Sequence, residues 1–323
     1  MRRIGRAVGA AVLLVCCAGG CSTQPGAGSA EPGADGTGPS LAPLPANQPR
    51  DSLPLDAYVP SPEEQARSDR AQVALERACL ARYGLRWDGP GETALETGRR
   101  MALSRQAARW GTVDLRQAAR YGYHAPPWST YNPQVGALLD QHADLPADVE
   151  KVLYGLVGTF GDKAVPQNGC RAEAAARLLR GAPRADRNLP DWLGRQAADA
   201  SAEDPRLSTV LGAWRACMTR AGHPYASPHA AAHDPRWKRV RTPTEKELTV
   251  AVADVRCQNE VRYLPALVDV TSRHQRELMS RYTTELGRLK RLKDVRARNV
   301  AEALAAQPSG TASSQEGDRD GSG

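Results

Sequence analysis

The chain has 323 residues, with 43 Lys and Arg against 36 Asp and Glu, a formal net charge of +7 and a single Phe. That length suits one large or two ordinary domains once its two unfolded-looking ends are subtracted. Apolar residues recur mostly with helical rather than alternating periodicity, which predicts an all-α protein with a lean core.

The first twenty residues, MRRIGRAVGAAVLLVCCAGG, set three Arg ahead of an apolar run of about a dozen residues. Such a run is too short to span a bilayer and suits an export signal. It ends in AGGC, small residues leading into Cys21. This resembles the lipobox of bacterial lipoproteins, in which the cysteine is diacylated and becomes the new N-terminus; Ala18 stands where that pattern prefers Leu. The resemblance implies an exported chain held at the outer face of the cytoplasmic membrane by a lipid on Cys21. Conventional cleavage would instead leave Cys21 as a spare thiol. Removing residues 1–20 takes away Arg2, Arg3 and Arg6 and lowers the formal charge from +7 to +4. Outside the cell a basic surface meets anionic headgroups or wall polymers rather than chromosomal DNA, so no nucleic-acid partner is expected.

Residues 21–58, dominated by Gly, Pro, Ser and Ala, read as a flexible tether, and 307–323 as a disordered polar tail. Between them lie a first helical half, 59–181, and a second, 182–306. SPEE at 61–64 is a capping box with Pro62 at the first helical position, so a helix is predicted from there to Tyr83, closed by Gly84. At 121–133, YGYHAPPWSTYNP gathers Tyr121, Tyr123, His124, Trp128 and Tyr131 around two prolines that hold the backbone extended. These rings are either a platform for a sugar or other flat-faced ligand or the filling of a core beneath a loop.

At 223–239, HPYASPHAAAHDPRWKR places His229 and His233 at i and i+4. On a helix both would face one metal, with His223 or Asp234 as a third ligand. Pro228 and Pro235 confine any such helix to two turns, and the expectation is a loop with unliganded histidines and no cofactor. TPTE at 242–245 opens a helix carrying Val250, Val252, Val255 and Val261 toward Leu264, where Pro265 should kink or restart it. Its acids Glu245 and Glu247, like Glu63 and Glu64, are expected to complement the dipoles of first turns. From Leu264, the positions Val268, Thr271, Gln275, Leu278, Tyr282, Glu285, Leu289 and Leu292 form an imperfect heptad seam along a long basic C-terminal helix. That helix either packs on its own body or offers itself, coiled-coil fashion, to a partner helix or an anionic surface.

Apart from Cys16, Cys17 and Cys21 at the signal, four cysteines, Cys79, Cys170, Cys217 and Cys257, imply two disulfides in an exported chain, with three possible pairings. An internal repeat chooses among them. RACLARYG at 77–84 returns as RACMTRAG at 215–222, each Cys standing five residues before a Gly and eight before an aromatic residue, Trp87 or Tyr225. Each half also has a second Cys followed three places later by Glu, Cys170 with Glu173 and Cys257 with Glu260. Two copies of one unit pair internally, so Cys79–Cys170 and Cys217–Cys257 are expected.

The run DPRLSTVLGAWRACMTRAGHPYASPHAAAHDPRWKR, then PTEKELTVAVADVRCQNEV and a long charged helix, resembles a group of uncharacterised exported lipoproteins of Streptomyces and related actinobacteria. GYH at 122–124 and GCRAEAAARLL at 169–179 resemble the first half of the same group, and the likeness spans most of 60–300. It carries no reaction to transfer. No nucleophile elbow, HExxH, phosphate-cradling loop or SxxK occurs. The expected function is therefore a non-enzymatic envelope lipoprotein that binds a partner protein or an anionic wall polymer. The alternatives are a secreted hydrolase or small-ligand receptor using 121–133, and an accessory lipoprotein of a membrane transporter.

Overall fold

Ser61 opens the first long helix, α1 (Pro62–Ala81), with both halves of the predicted capping box: its side chain accepts from the Glu64 amide, and Glu64 accepts from the Ser61 amide. This comes from a computed structural model that describes residues 52–126 and 145–306. The signal, Cys21, the tail at 307–323, Trp128 and Tyr131 lie outside the described residues, as does the tether up to residue 51. The tether's last part is docked. Pro54–Tyr58 forms a 3-10 turn in which Leu55 is buried against Leu189, Leu193, Leu286 and Leu289, and the Leu55 amide donates to Gln275 Oε1 at 3.0 Å. The apolar spacing of Leu53, Leu55 and Tyr58 supplies the burial that the Pro-Gly-Ser composition around it lacks.

After α1 the chain forms α2 (Glu92–Ala108), α3 (Leu115–Tyr121), α4 (Ala147–Leu153), a hairpin of β1 (Thr159–Phe160) and β2 (Lys163–Ala164), and α5 (Gly169–Leu178). The second half adds α6 (Leu189–Ala202), α7 (Pro205–Arg220), short α8 (Pro228–Ala232) and α9 (Pro235–Lys238), then α10 (Glu245–Glu260), α11 (Tyr263–Arg281) and α12 (Thr283–Ala305). The protein is all-α but for that hairpin among the described residues.

Both expected disulfides are present, Cys79–Cys170 tying α1 to α5 and Cys217–Cys257 tying α7 to α10. The repeat is visible atom by atom around them. Gly84 and Gly222 both adopt positive φ, and each helix closes on the same bonds, Leu85 N–H to Leu80 O in one and His223 N–H to Met218 O in the other. The Arg three residues after the first Cys pairs with the Glu three residues after the second: Arg82–Glu173 at 2.6 Å and Arg220–Glu260 at 2.7 Å. Trp87 and Tyr225 each pack on the cluster that contains their own disulfide.

The two halves exchange helices. α3, from the first, packs on α10 of the second through Ala118, Ala251 and Val255, all at 0 % exposure. In return α12 packs on α1 and α5, where Ala71, Leu75, Ala174, Leu178, Val300 and Ala303 form one cluster. Alanine at so many contacts lets helix axes approach closely, which is how a chain with one Phe closes its core. A comparable close approach holds Gly155 and Gly169, both at positive φ: a Cβ on either would lie 2.4 Å from the other's backbone.

The C-terminal stretch is helical from Tyr263 to Ala305 but divided. Arg262, at φ 54°, separates α10 from α11, so the restart precedes Pro265, which sits in the first turn of α11 where no amide partner is needed. A second break falls at Tyr282, after which Leu286 rather than Glu285 is buried while Leu289 keeps its predicted place. Thr271 and Gln275 are buried before it; after it Leu286, Leu289, Val300 and Ala303 are buried, while Glu285, a member of the predicted seam, is exposed. The apolar side of this stretch is turned inward against α6, α7, α1 and α5.

Candidate functional site

The GYH triplet lands on α10. Gly122 has φ 57° and ends α3; a Cβ there would meet Glu247 Oε1 at 2.5 Å, so only glycine admits this approach. The Tyr123 amide then donates to Glu247 Oε1 at 2.8 Å, and the same oxygen accepts from His124 Nδ1 at 2.8 Å. The other ring nitrogen, Nε2, lies 3.0 Å from the Val240 carbonyl. A ring between two acceptors satisfies both only when both nitrogens carry protons. Burial favours the neutral ring, yet the bonds to Val240 and Glu247 outweigh it and hold the His124 pKa above its ordinary value. Glu247 is wholly buried, and its Oε2 has no hydrogen-bond partner among the described residues.

Two turns along α10, Asp254 is the second buried acid of this helix. Oδ2 accepts from the Tyr123 hydroxyl at 3.0 Å, and Oδ1 from Trp214 Nε1 at 3.0 Å and Gln258 Nε2 at 2.9 Å. Gln258 Nε2 also reaches the Thr112 carbonyl at 3.1 Å, from the first half. Tyr123 stacks on Trp237 with centroids 6.4 Å apart. Of the five residues proposed as an aromatic platform, Tyr123 and His124 therefore join the halves internally. Tyr121 is half-buried beneath the Arg120 guanidinium at 5.2 Å. Both ring nitrogens of His124 are engaged, so the bonds described here hold the two halves together.

Burial pushes the Asp254 carboxyl up to about 6, against which its three donors work. The unfolded chain releases that proton near the ordinary 3.8, so the folded state binds more protons between the two values and stability falls as pH rises through that window. About two pKa units correspond to roughly 3 kcal/mol. Asp254→Asn, which keeps the shape and cannot ionise, is expected to reduce the loss of stability between pH 4 and 6, as read from urea midpoints at each pH, leaving the part due to Asp69 and Glu76, whose carboxyls burial also raises. A slope identical to wild type would place the titration elsewhere.

Sequence reasoning assigned Glu247 to dipole compensation alone and did not single out Asp254 or Gln258. A signal was present: 247, 254 and 258 fall at helical spacing on the same stripe as Val250, Ala251 and Val255, so the polar members share the apolar face. The two metal candidates are brought together differently. His229 and His233 stack with centroids 3.9 Å apart, and His233 Nδ1 lies 3.0 Å from the His229 carbonyl. Asp234 is engaged by Arg236 and the Tyr225 hydroxyl. Among the described residues no three His, Cys, Asp or Glu side chains are grouped to hold a metal.

Two clefts remain. One, of about 760 Å³, runs between the 3-10 turn, α6 and α11 and includes Trp110, His229 and Tyr263. The other, of about 350 Å³, lies between α1 and α12 under the Tyr58–Pro60 segment, with Leu289, Leu292, Val300 and Leu304 as its apolar wall. The outer side of α12 is basic: Arg288, Lys290, Arg291 and Arg298 are exposed and form no ion pair among the described residues. By contrast, Arg273 and Arg281 on α11 are neutralised by Asp269 and Glu277 at 2.9 and 2.8 Å. No described helix is long and apolar enough to cross a membrane. No protein-family model, curated protein or solved structure matches the chain.

Proposed function

We propose that this chain is an exported, lipid-anchored module of the cell envelope that acts by binding and catalyses no reaction, with the outer face of α12 meeting an anionic envelope surface. The carrying observation is the division of α12: its apolar side is spent on α1 and α5, while Arg288, Lys290, Arg291 and Arg298 face solvent and form no ion pair among the described residues, with Asp294 the one acid placed between them. Two closed disulfides suit an oxidising compartment and so support export. The receptor reading of 121–133 draws no support from Tyr123 and His124, whose polar atoms are occupied inside the body.

Because α11 and α12 contribute to the core, deleting them would unfold the protein, and charge is the variable to change. A cation near an anionic surface contributes about 1 kcal/mol. The mature chain carrying Cys21→Ser, which removes any lipid, is expected to sediment with phosphatidylglycerol vesicles at low salt and to leave them as salt rises. Adding Arg288→Gln, Lys290→Gln, Arg291→Gln and Arg298→Gln should weaken that binding by about two orders of magnitude or more and leave the melting temperature unchanged. Equal binding by both proteins, or none by either, counts against this face.

A further inference from the structure

The cleft between α1 and α12 combines features that the outer basic face does not need. Its wall is apolar, and its volume of about 350 Å³ is at the small end of the roughly 300–1,000 Å³ of ordinary ligand pockets. That size suits one alkyl chain better than two. Five charged side chains line it. Glu64 and Lys293 neutralise each other at 3.0 Å, and Lys293 is further held by the Ala57 and Val59 carbonyls. Arg67 from α1, Arg187 from the segment before α6 and Arg296 from α12 are left without an ion pair among the described residues. Asp69, the acid whose charge acts on Arg296, is not part of the lining and accepts from Gln65 at 2.6 Å.

Arg296 is half-buried, and burial lowers its pKa, so its charge sits where water compensates it poorly. Ser68, also in the lining, is 4 % exposed, and its Oγ has no hydrogen-bond partner among the described residues. A native fold rarely leaves such a hydroxyl unsatisfied. Three cations converging from three elements, an unsatisfied buried hydroxyl and an apolar wall are complementary to one kind of molecule.

We infer that the α1–α12 cleft is a binding site for a single-chain anionic amphiphile, its alkyl chain against Leu289, Leu292, Val300 and Leu304 and its carboxylate or phosphate head among Arg67, Arg187 and Arg296. Guanidinium groups pair with either head through charge-assisted hydrogen bonds, and a planar fork fits both oxyanions. The site is separate from the outer face of α12 and does not rest on that face binding a membrane.

The test uses the mature chain with Cys21→Ser and four probes of equal chain length, each below its micelle concentration: tetradecanoate, tetradecyl phosphate, tetradecanol and tetradecyltrimethylammonium. Titration calorimetry and thermal shift are expected to show saturable one-to-one binding of the two anions, at least tenfold tighter than the alcohol and with no binding of the ammonium. The tighter of the two anions identifies the head group. Arg67→Gln with Arg296→Gln should weaken the anions by about tenfold or more while leaving the alcohol unchanged. Ala301→Phe, at an exposed lining position and so compatible with folding, should block all probes. The fourfold Gln variant of the outer face should bind the anions as wild type does, which separates this site from the vesicle result. Equal affinity for anion, alcohol and ammonium, binding indifferent to these substitutions, or no saturable binding of either anion would overturn the proposal.

Discussion

Replacing Cys79 and Cys170 together by alanine is expected to lower the stability of the protein by about 4.5 kcal/mol, and replacing Cys217 and Cys257 by about 4 kcal/mol. The difference follows from loop length. The first bridge closes a separation of 91 residues and the second one of 40, and the entropy removed from the unfolded chain grows with the logarithm of that number. These losses are a large fraction of the 5–15 kcal/mol that holds a typical domain together. They weigh more here because many of the contacts that close the core are made by alanine. The pair is read by urea unfolding with and without reductant: wild type should lose more than either double variant does, because it has both bridges to lose. If both double variants unfold at the wild-type midpoint, the bridges are ornaments on a core that is sufficient without them.

The second large effect is expected at Glu247. Its Oε1 carries the Tyr123 amide and the His124 ring, and the residue itself is wholly buried. Glu247→Ala strands both donors and opens a hole at the junction of α3 and α10, so a loss of about 3–5 kcal/mol is expected. Glu247→Gln keeps an accepting oxygen and the volume but removes the charge, and should cost less than half as much. It also has a pH signature. The folded His124 pKa lies above its ordinary 6.5, so its contribution is fully present below that value and is lost as pH rises through the folded one. Glu247→Gln should flatten this loss above pH 6.5. If wild type and Glu247→Gln show the same pH dependence there, His124 is not held as a cation by this carboxylate.

Much of the fold was legible because helix ends are written locally. Ser61 caps where its capping box predicts, while the helix that TPTE would start from Thr242 begins two residues later, with Thr244 as its cap accepting from the Glu247 amide, and Gly84 and Gly222 close their helices with the left-handed conformation that only glycine takes cheaply. The cysteine pairing was legible because the chain spells one unit twice, and the Arg–Glu pairs that flank each bridge repeat with it. The site was legible only in part. GYH drew notice as an aromatic cluster, but its partner Glu247 looked like one more first-turn acid, since which face of α10 is buried depends on α3 arriving from the other half of the chain.

By itself, then, the sequence determined the helix start at Ser61, the helix endings at Gly84 and Gly222, the duplicated unit and its two bridges, because capping, φ preferences and loop closure act over a few residues or between chemically unique ones. Only the tertiary structure decided that α3 and α12 cross to the opposite half, that the C-terminal helix breaks at Tyr282 with Glu285 left outside the core, and that three arginines distant in sequence surround one apolar cleft. Those outcomes are set by which surfaces pack most closely, and alanine-rich helices present many nearly equivalent faces from which a periodicity alone cannot choose.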